Sequence, residues 1–287
     1  MKVRTQATAP FAPQGQPGVT PTPVPPPELM LSTESVYQGG TILLSLVGQV
    51  KEGSVTFLNR TRRLSKGKQS IYTFIGIDTE DRFGTQTLRV DFSLVSGSKG
   101  SLTAQVRVLE NRWTVDAIVL PPSLSILLDP KVNADEQTIL NQVYGGASAE
   151  KLWDGPWLVP SGGPVTTRFG EERSYNGGPV SGHHLGTDIG AADGAPVGAT
   201  NAGRVVMARQ VQLRGNMVIV DHGGGLFSGY AHLKSFAVAE GQDVQPGDAV
   251  GFVGSSGLST GAHLHWEMVA GGVFVDALRF TDGSNGF

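Results

Sequence analysis

The sequence predicts an all-β protein made of two folded β parts joined by a single helix. Three observations carry this. Glycine is abundant and dispersed, at 40 of 287 residues, about twice its usual share of roughly 7%, as expected of a chain with many tight turns. Short apolar or alternating runs follow one another, separated by turn signals. Only one stretch carries a helical period.

The first part spans residues 28–121. ELMLSTESV, TILLSLVGQ, SVTFLNR, IYTFIGID, TLRVDFSLVSG and SLTAQVRVLE are divided by QGG, KEG, SKGK, EDRFG and GSKG. Six or seven strands at this spacing predict an immunoglobulin-like β-sandwich. The segment contains no histidine and reads as a spacer or docking module. A connector follows over residues 122–158. In it, Asn133 to Glu136 resembles a capping box, Ile139, Leu140, Val143 and Tyr144 share a face, and Gly145-Gly146 stops the helix. Trp153 and Trp157 are expected to pack against the next domain. From residue 159 to 287 the text returns to short β segments such as GRVVMARQVQ, NMVIVDHGGG and AHLHWEMVAGG, with glycine-rich loops.

Ahead of these lies a proline-rich linker, residues 1–27. Eight of the seventeen prolines fall within residues 10–27, a composition that extends rather than folds. It reads equally as a disordered tail and as a spacer. The opening MKVRTQATAPFAPQG is basic but lacks the apolar core of a signal peptide. The net charge of −3 and pI near 6.1 leave no electrostatic footprint for nucleic acid. No apolar run reaches the roughly 18–20 residues of a membrane span. Cysteine is absent, which excludes disulfides and thiolate metal sites.

All six histidines (His183, His184, His222, His232, His263 and His265) lie within 83 residues. Histidine is the commonest metal ligand and acid–base residue, so chemistry is expected there. In His263-Leu264-His265-Trp266-Glu267 the period of a strand points both imidazoles to one side and the apolar residues to the other. His184 and Asp188, in the glycine-flanked HLGTD, are expected on a loop entering a strand. With the HxH pair they offer the two-His, one-carboxylate set of a zinc centre that keeps its fourth position for water.

HLGTD, GNMVIVDHGGG, YAHL and GAHLHWE, in this order, resemble the lysostaphin/LytM-type peptidases, the zinc metallopeptidase family numbered twenty-three. The resemblance covers about residues 159–280. It implies an antiparallel β-sheet domain and one zinc ion held by His184, Asp188 and His265, with His232 and His263 as catalytic residues. It also implies hydrolysis of peptide bonds in bacterial peptidoglycan, and therefore an extracytoplasmic location, with the leader absent from this chain. Some relatives place a tyrosine near the oxyanion, which makes Tyr175 a candidate for that role. His183 and His222 have no counterpart in the pattern and read as structural. Arg168 reads equally as a substrate contact and as a surface salt bridge.

The rhythm of GQDVQPGDAVGFVG is similar to that of biotinyl/lipoyl carriers. Lys234 lacks the flanking context of a modified lysine, so the similarity is read as lipoyl-like hairpins in the sheet rather than as function. The competing function is a non-catalytic peptidoglycan-binding or amidase-activating module of the same fold. Docking of the N-terminal domain on the peptidase domain is a further expectation.

Overall fold

The computed structural model describes residues 25–285; the proline-rich reading of residues 1–27 lies almost entirely outside the described residues. Two sheets open the chain. One has four strands in the order Glu28–Leu31, Thr41–Val47, Ser70–Gly76, Ser65–Lys66. The other has five, ordered Ser35–Tyr37, Lys99–Leu109, Gly84–Leu94, Val50–Phe57, Arg60–Arg63. Alternation explains their packing. In Gly84–Leu94 the residues Leu88, Val90, Phe92 and Leu94 are buried and the polar residues between them are not. They meet Leu29, Leu44, Leu46 and Ile75 of the other sheet in one apolar core. Each such side chain contributes about 1.5–3 kcal/mol through burial.

The chain then leaves the sandwich. Val115–Ile118, inside the segment read from sequence as sandwich, pairs in parallel with Glu172–Tyr175, which pairs in turn with Val180–His183. The helix runs from Pro130 to Gly145, and this corrects the expected Asn133 cap. Asp129 caps it, accepting a hydrogen bond from the Lys131 amide at 2.8 Å, with Pro130 preset for the first turn. Glu136 does not reach back to the helix start but is buried against the following domain. Short helical turns also occur at Pro122–Ser125, Ile126–Leu128 and Leu278–Thr281.

The C-terminal domain is built on a ten-stranded sheet. Its main path runs Val165–Thr167, Thr187–Gly190, His263–Ala270, Leu226–Phe236, Asn216–Gly223, Gly203–Gln210, Asp243–Val244. Both faces of its central strands are covered. In Asn216–Gly223, Val218 and Val220 join one core with Tyr230, Trp266 and Met268, while Met217 and Ile219 join another with Phe227 and Leu140 of the helix. The amphipathic helix, through Ile139, Leu140, Val143 and Tyr144, therefore closes one face of this sheet.

The sandwich touches the opposite side. Tyr72 and Phe74 belong to the C-terminal core, and the Asp276 amide donates to the Gly39 carbonyl at 2.7 Å. Gly76 allows this approach, since a Cβ there would stand 2.7 Å from the Ala270 carbonyl oxygen. Trp153 lies between Phe74 and Trp157, with ring centroids 6.0 and 5.7 Å apart.

Candidate metal centre

Strand pairing brings the candidate residues together. Thr187–Gly190 lies antiparallel to His263–Ala270, with Asp188 directly opposite His265. On the other side of that strand Ala231 faces His265, so His232 follows one residue later. Trp266 and Met268 point into the main core, while His265 and Glu267 point to the face that the helix covers. His184 enters from the preceding loop. Gly186 is needed there, because a Cβ would stand 2.7 Å from the His265 ring.

Three side-chain atoms converge. His184 Nε2, Asp188 Oδ1 and His265 Nδ1 are separated by 2.8, 2.9 and 3.0 Å. All three residues are buried. A tetrahedral zinc ion with bonds near 2.0–2.1 Å would spread such atoms to about 3.3 Å, a shift of a few tenths of an ångström.

The hydrogen bonds behind these three atoms leave room for a cation between them. His184 Nδ1 donates to the Arg168 carbonyl at 3.0 Å, which leaves Nε2 as a lone pair. Burial lowers the pKa of this ring to about 4 despite Asp188, keeping it neutral. His265 has Asp188 on Nδ1 and Glu267 on Nε2, at 2.8 and 3.0 Å. Burial opposes a charge on this ring, yet the two carboxylates raise its pKa to about 9. Asp188 is held well below the ordinary carboxylate range: burial works against its charge, and its close contacts with the His184 and His265 rings outweigh it. With Nε2–H donated to Glu267, His265 can turn a lone pair on Nδ1 toward the point where His184 Nε2 and Asp188 Oδ1 also converge, a donor set that a divalent cation fits.

Two further histidines flank this cluster. The His232 ring centroid lies 4.9 Å from that of His263 and 5.6 Å from that of His265. His232 adopts a left-handed backbone, φ 60°, uncommon outside glycine and frequent where function holds a residue in place. Its Nδ1 bonds the Ser256 carbonyl at 2.7 Å, leaving Nε2 as acceptor. Burial, then His265 and His263, lower its pKa to about 3. His263 is fixed likewise, Nδ1 to the Gly261 carbonyl at 2.9 Å, with Nε2 3.8 Å from Asp188.

These residues open onto a cleft of about 640 Å³, which Tyr175 also lines. One wall is the Val115–Ile118 strand with its Glu172–His183 hairpin, and Asn133 and Gln137 of the helix also line it. Arg168 is exposed and contributes its carbonyl to His184. His183 bonds the Gly170 carbonyl and Glu80 of the sandwich. His222 is wholly buried away from the cleft, bonded to the Ala202 carbonyl and Ser228.

Sequence reasoning missed Glu267, Arg214, Glu136, Arg173 and Asp116. Arg214 Nε donates to Glu267 at 2.7 Å and Nη1 to Glu136 at 2.8 Å. Arg173 bonds Asp116 at 2.7 Å and stands 3.5 Å from Asp188. A signal for Glu267 was present, since it stands two residues past His265 on the same strand face. The other four meet only through folding.

Comparison with known proteins places this geometry. The peptidase family M23 model matches residues 182–277. The peptidoglycan DD-endopeptidase ShyA of Vibrio cholerae is 38% identical over 96 residues, 33% of this chain and 22% of ShyA. The murein hydrolase activator NlpD of Salmonella dublin is 34% identical over 125 residues, 43% of this chain and 31% of NlpD. The chain thus spans less than a third of the length of these curated relatives. A crystal structure assigned to peptidase M23 from Pseudomonas aeruginosa covers 85% of this chain and 94% of its own, with TM-score 0.57. At 22% identity that likeness is one of fold.

Proposed function

The chain carries a peptidase family M23 domain, and from that premise we propose that it is a zinc-dependent endopeptidase cutting peptide bonds in bacterial peptidoglycan, outside the cytoplasmic membrane. The convergence of His184, Asp188 and His265 on one point carries this reading. These three residues would hold the ion. Zinc, when bound, supplies Lewis acidity and brings the pKa of water toward about 7.

The protein's own groups supply the rest. The cleft seats an extended peptide against the His263–Ala270 strand end. His232 and His263, each anchored through Nδ1 to a carbonyl, present Nε2 as a proton acceptor. One takes the proton of the attacking water and passes it to the leaving amine. Its neighbour, when it enters the cycle as the imidazolium with a proton taken from solvent, donates that Nε2–H to the developing oxyanion. Tyr175 lines the same cleft, which supports its reading as a further oxyanion donor.

NlpD among the relatives favours a second reading, a non-catalytic wall-binding activator. The complete His-Asp-His set and its flanking histidine pair favour the enzyme. Mass spectrometry of fragments released from purified peptidoglycan, with and without a zinc chelator, decides between them. The enzyme produces new peptide termini that vanish on chelation. Binding to the wall without new termini, in protein carrying one equivalent of zinc, would sink the enzymatic reading.

A further inference from the structure

Two of the three candidate ligands are braced from outside the domain that carries them. Each brace is a carboxylate from ahead of that domain, on the helix or on the Val115–Ile118 strand, acting through an arginine. On one side Glu136, on the helix, holds Arg214 at 2.8 Å; Arg214 holds Glu267 at 2.7 Å; and Glu267 holds His265 Nε2 at 3.0 Å. The second oxygen of Glu136 accepts the Leu213 amide at 2.6 Å, which fixes the loop carrying Arg214. The side chains of Glu136 and Glu267 are 1% and 0% exposed. On the other side Asp116, on the Val115–Ile118 strand, holds Arg173 at 2.7 Å. Arg173 approaches Asp188 Oδ2 at 3.5 Å, the oxygen that does not face the histidines.

Burying this many charges is costly unless each is paired and hydrogen-bonded. Apolar contacts alone already seat the helix, through Leu140 against Met217, Ile219 and Phe227. The two charged chains add something that packing does not: a fixed orientation for the His265 ring, and an Asp188 carboxylate held with Oδ2 toward Arg173 and Oδ1 toward the histidines. Partners behind a metal ligand set its tautomer and ring angle, and removing them typically costs 10–100-fold in metal affinity. Both carboxylates precede residue 182, where the family match begins.

Resting on the metallopeptidase reading, we propose that Glu136 and Asp116 are positioning residues of the metal centre, so that the helix and the Val115–Ile118 strand complete the site instead of merely linking two domains. Without Glu136, Arg214 has only Glu267 to neutralise it. It then draws the shared Glu267 oxygen from His265, and the ring loses its fixed angle. Without Asp116, Arg173 turns fully to Asp188 and competes for its charge.

The test uses the full chain with Glu136→Gln, Asp116→Asn and Ile139→Ala. Ile139→Ala loosens the helix packing without touching either charged chain. Zinc affinity is measured by competition with a chromophoric chelator, peptide release is resolved into kcat and KM, and thermal midpoints are recorded on metal-free protein. Glu136→Gln is expected to weaken zinc binding about tenfold or more and to lower kcat with KM nearly unchanged. Asp116→Asn, at a half-exposed position, is expected to weaken zinc binding severalfold with little change in midpoint. Ile139→Ala is expected to lower the midpoint and leave zinc affinity within about twofold. Wild-type zinc affinity and kcat in both carboxylate variants would overturn the proposal and leave the metallopeptidase reading intact. Failure of the unmodified protein to bind zinc would overturn both.

Discussion

The sandwich and the sheet domain bury different things. Beside its aliphatic and aromatic core, the N-terminal sandwich buries only uncharged polar side chains among the described residues, Gln38, Thr41, Thr73 and Thr79. The sheet domain, made of strands no less apolar, also buries His184, Asp188, His222, His232, His265 and Glu267. An apolar core repays burial directly. A buried charge repays it only when its partners are in place, so such groups accumulate where their arrangement has a use. The contrast separates a region that contributes stability from one that gives up some stability for chemistry.

The strongest way to break that contrast is to remove a ligand. Asp188→Ala or His265→Ala is expected to abolish stoichiometric zinc binding and peptide release together, measured by metal analysis and fragment mass spectrometry. Retained zinc in either variant would overturn the ligand assignment. His263→Ala is expected to keep its zinc and lose on the order of 10²–10⁴-fold in kcat, the usual contribution of a proton-transfer group.

The sandwich should answer in the opposite sense. Leu44→Ala, at a fully buried position, is expected to cost about 2–5 kcal/mol of stability in denaturant titrations. Zinc affinity should stay within about twofold. A large loss of affinity there would show that the two regions are not separable in this way.

The smallest effect concerns acid. His222 is wholly buried, and desolvation lowers its pKa to about 4 from 6.5. Because the folded value is depressed, the unfolded chain binds the extra proton first. Stability attributable to this ring is therefore full above about pH 6.5 and falls as pH drops toward 4. The loss reaches on the order of 3 kcal/mol. Thermal midpoints of the wild type and His222→Gln between pH 7 and 4 should converge as the pH falls. Parallel slopes would remove His222 as the source.

Legibility followed locality. The strands were readable because alternation such as Leu88, Val90, Phe92 and Leu94 is a property of neighbours in sequence. The HxH pair was readable for the same reason, and Glu267 should have been, since it continues that alternation by two residues. The helix was found but its start was misplaced. Asn133 to Glu136 looked like a cap, whereas Asp129-Pro130 begins the turn and Glu136 is committed to Arg214. A side chain that can cap locally is free to do so only if no tertiary partner claims it.

The residues alone determined the all-β class, the histidine-rich half of the chain and the motifs that resemble a zinc peptidase, because these are written in spacing and residue type. Only the tertiary structure decided that Asp188 lies opposite His265, that His184 closes the triangle, and that Glu136 and Asp116 reach the centre through Arg214 and Arg173. The contacts Asp188–His265, His184–His265, Glu136–Arg214 and Asp116–Arg173 join side chains 57 to 81 positions apart. Over such separations no local preference acts; sheet register and the docking of the helix alone bring the charges within reach.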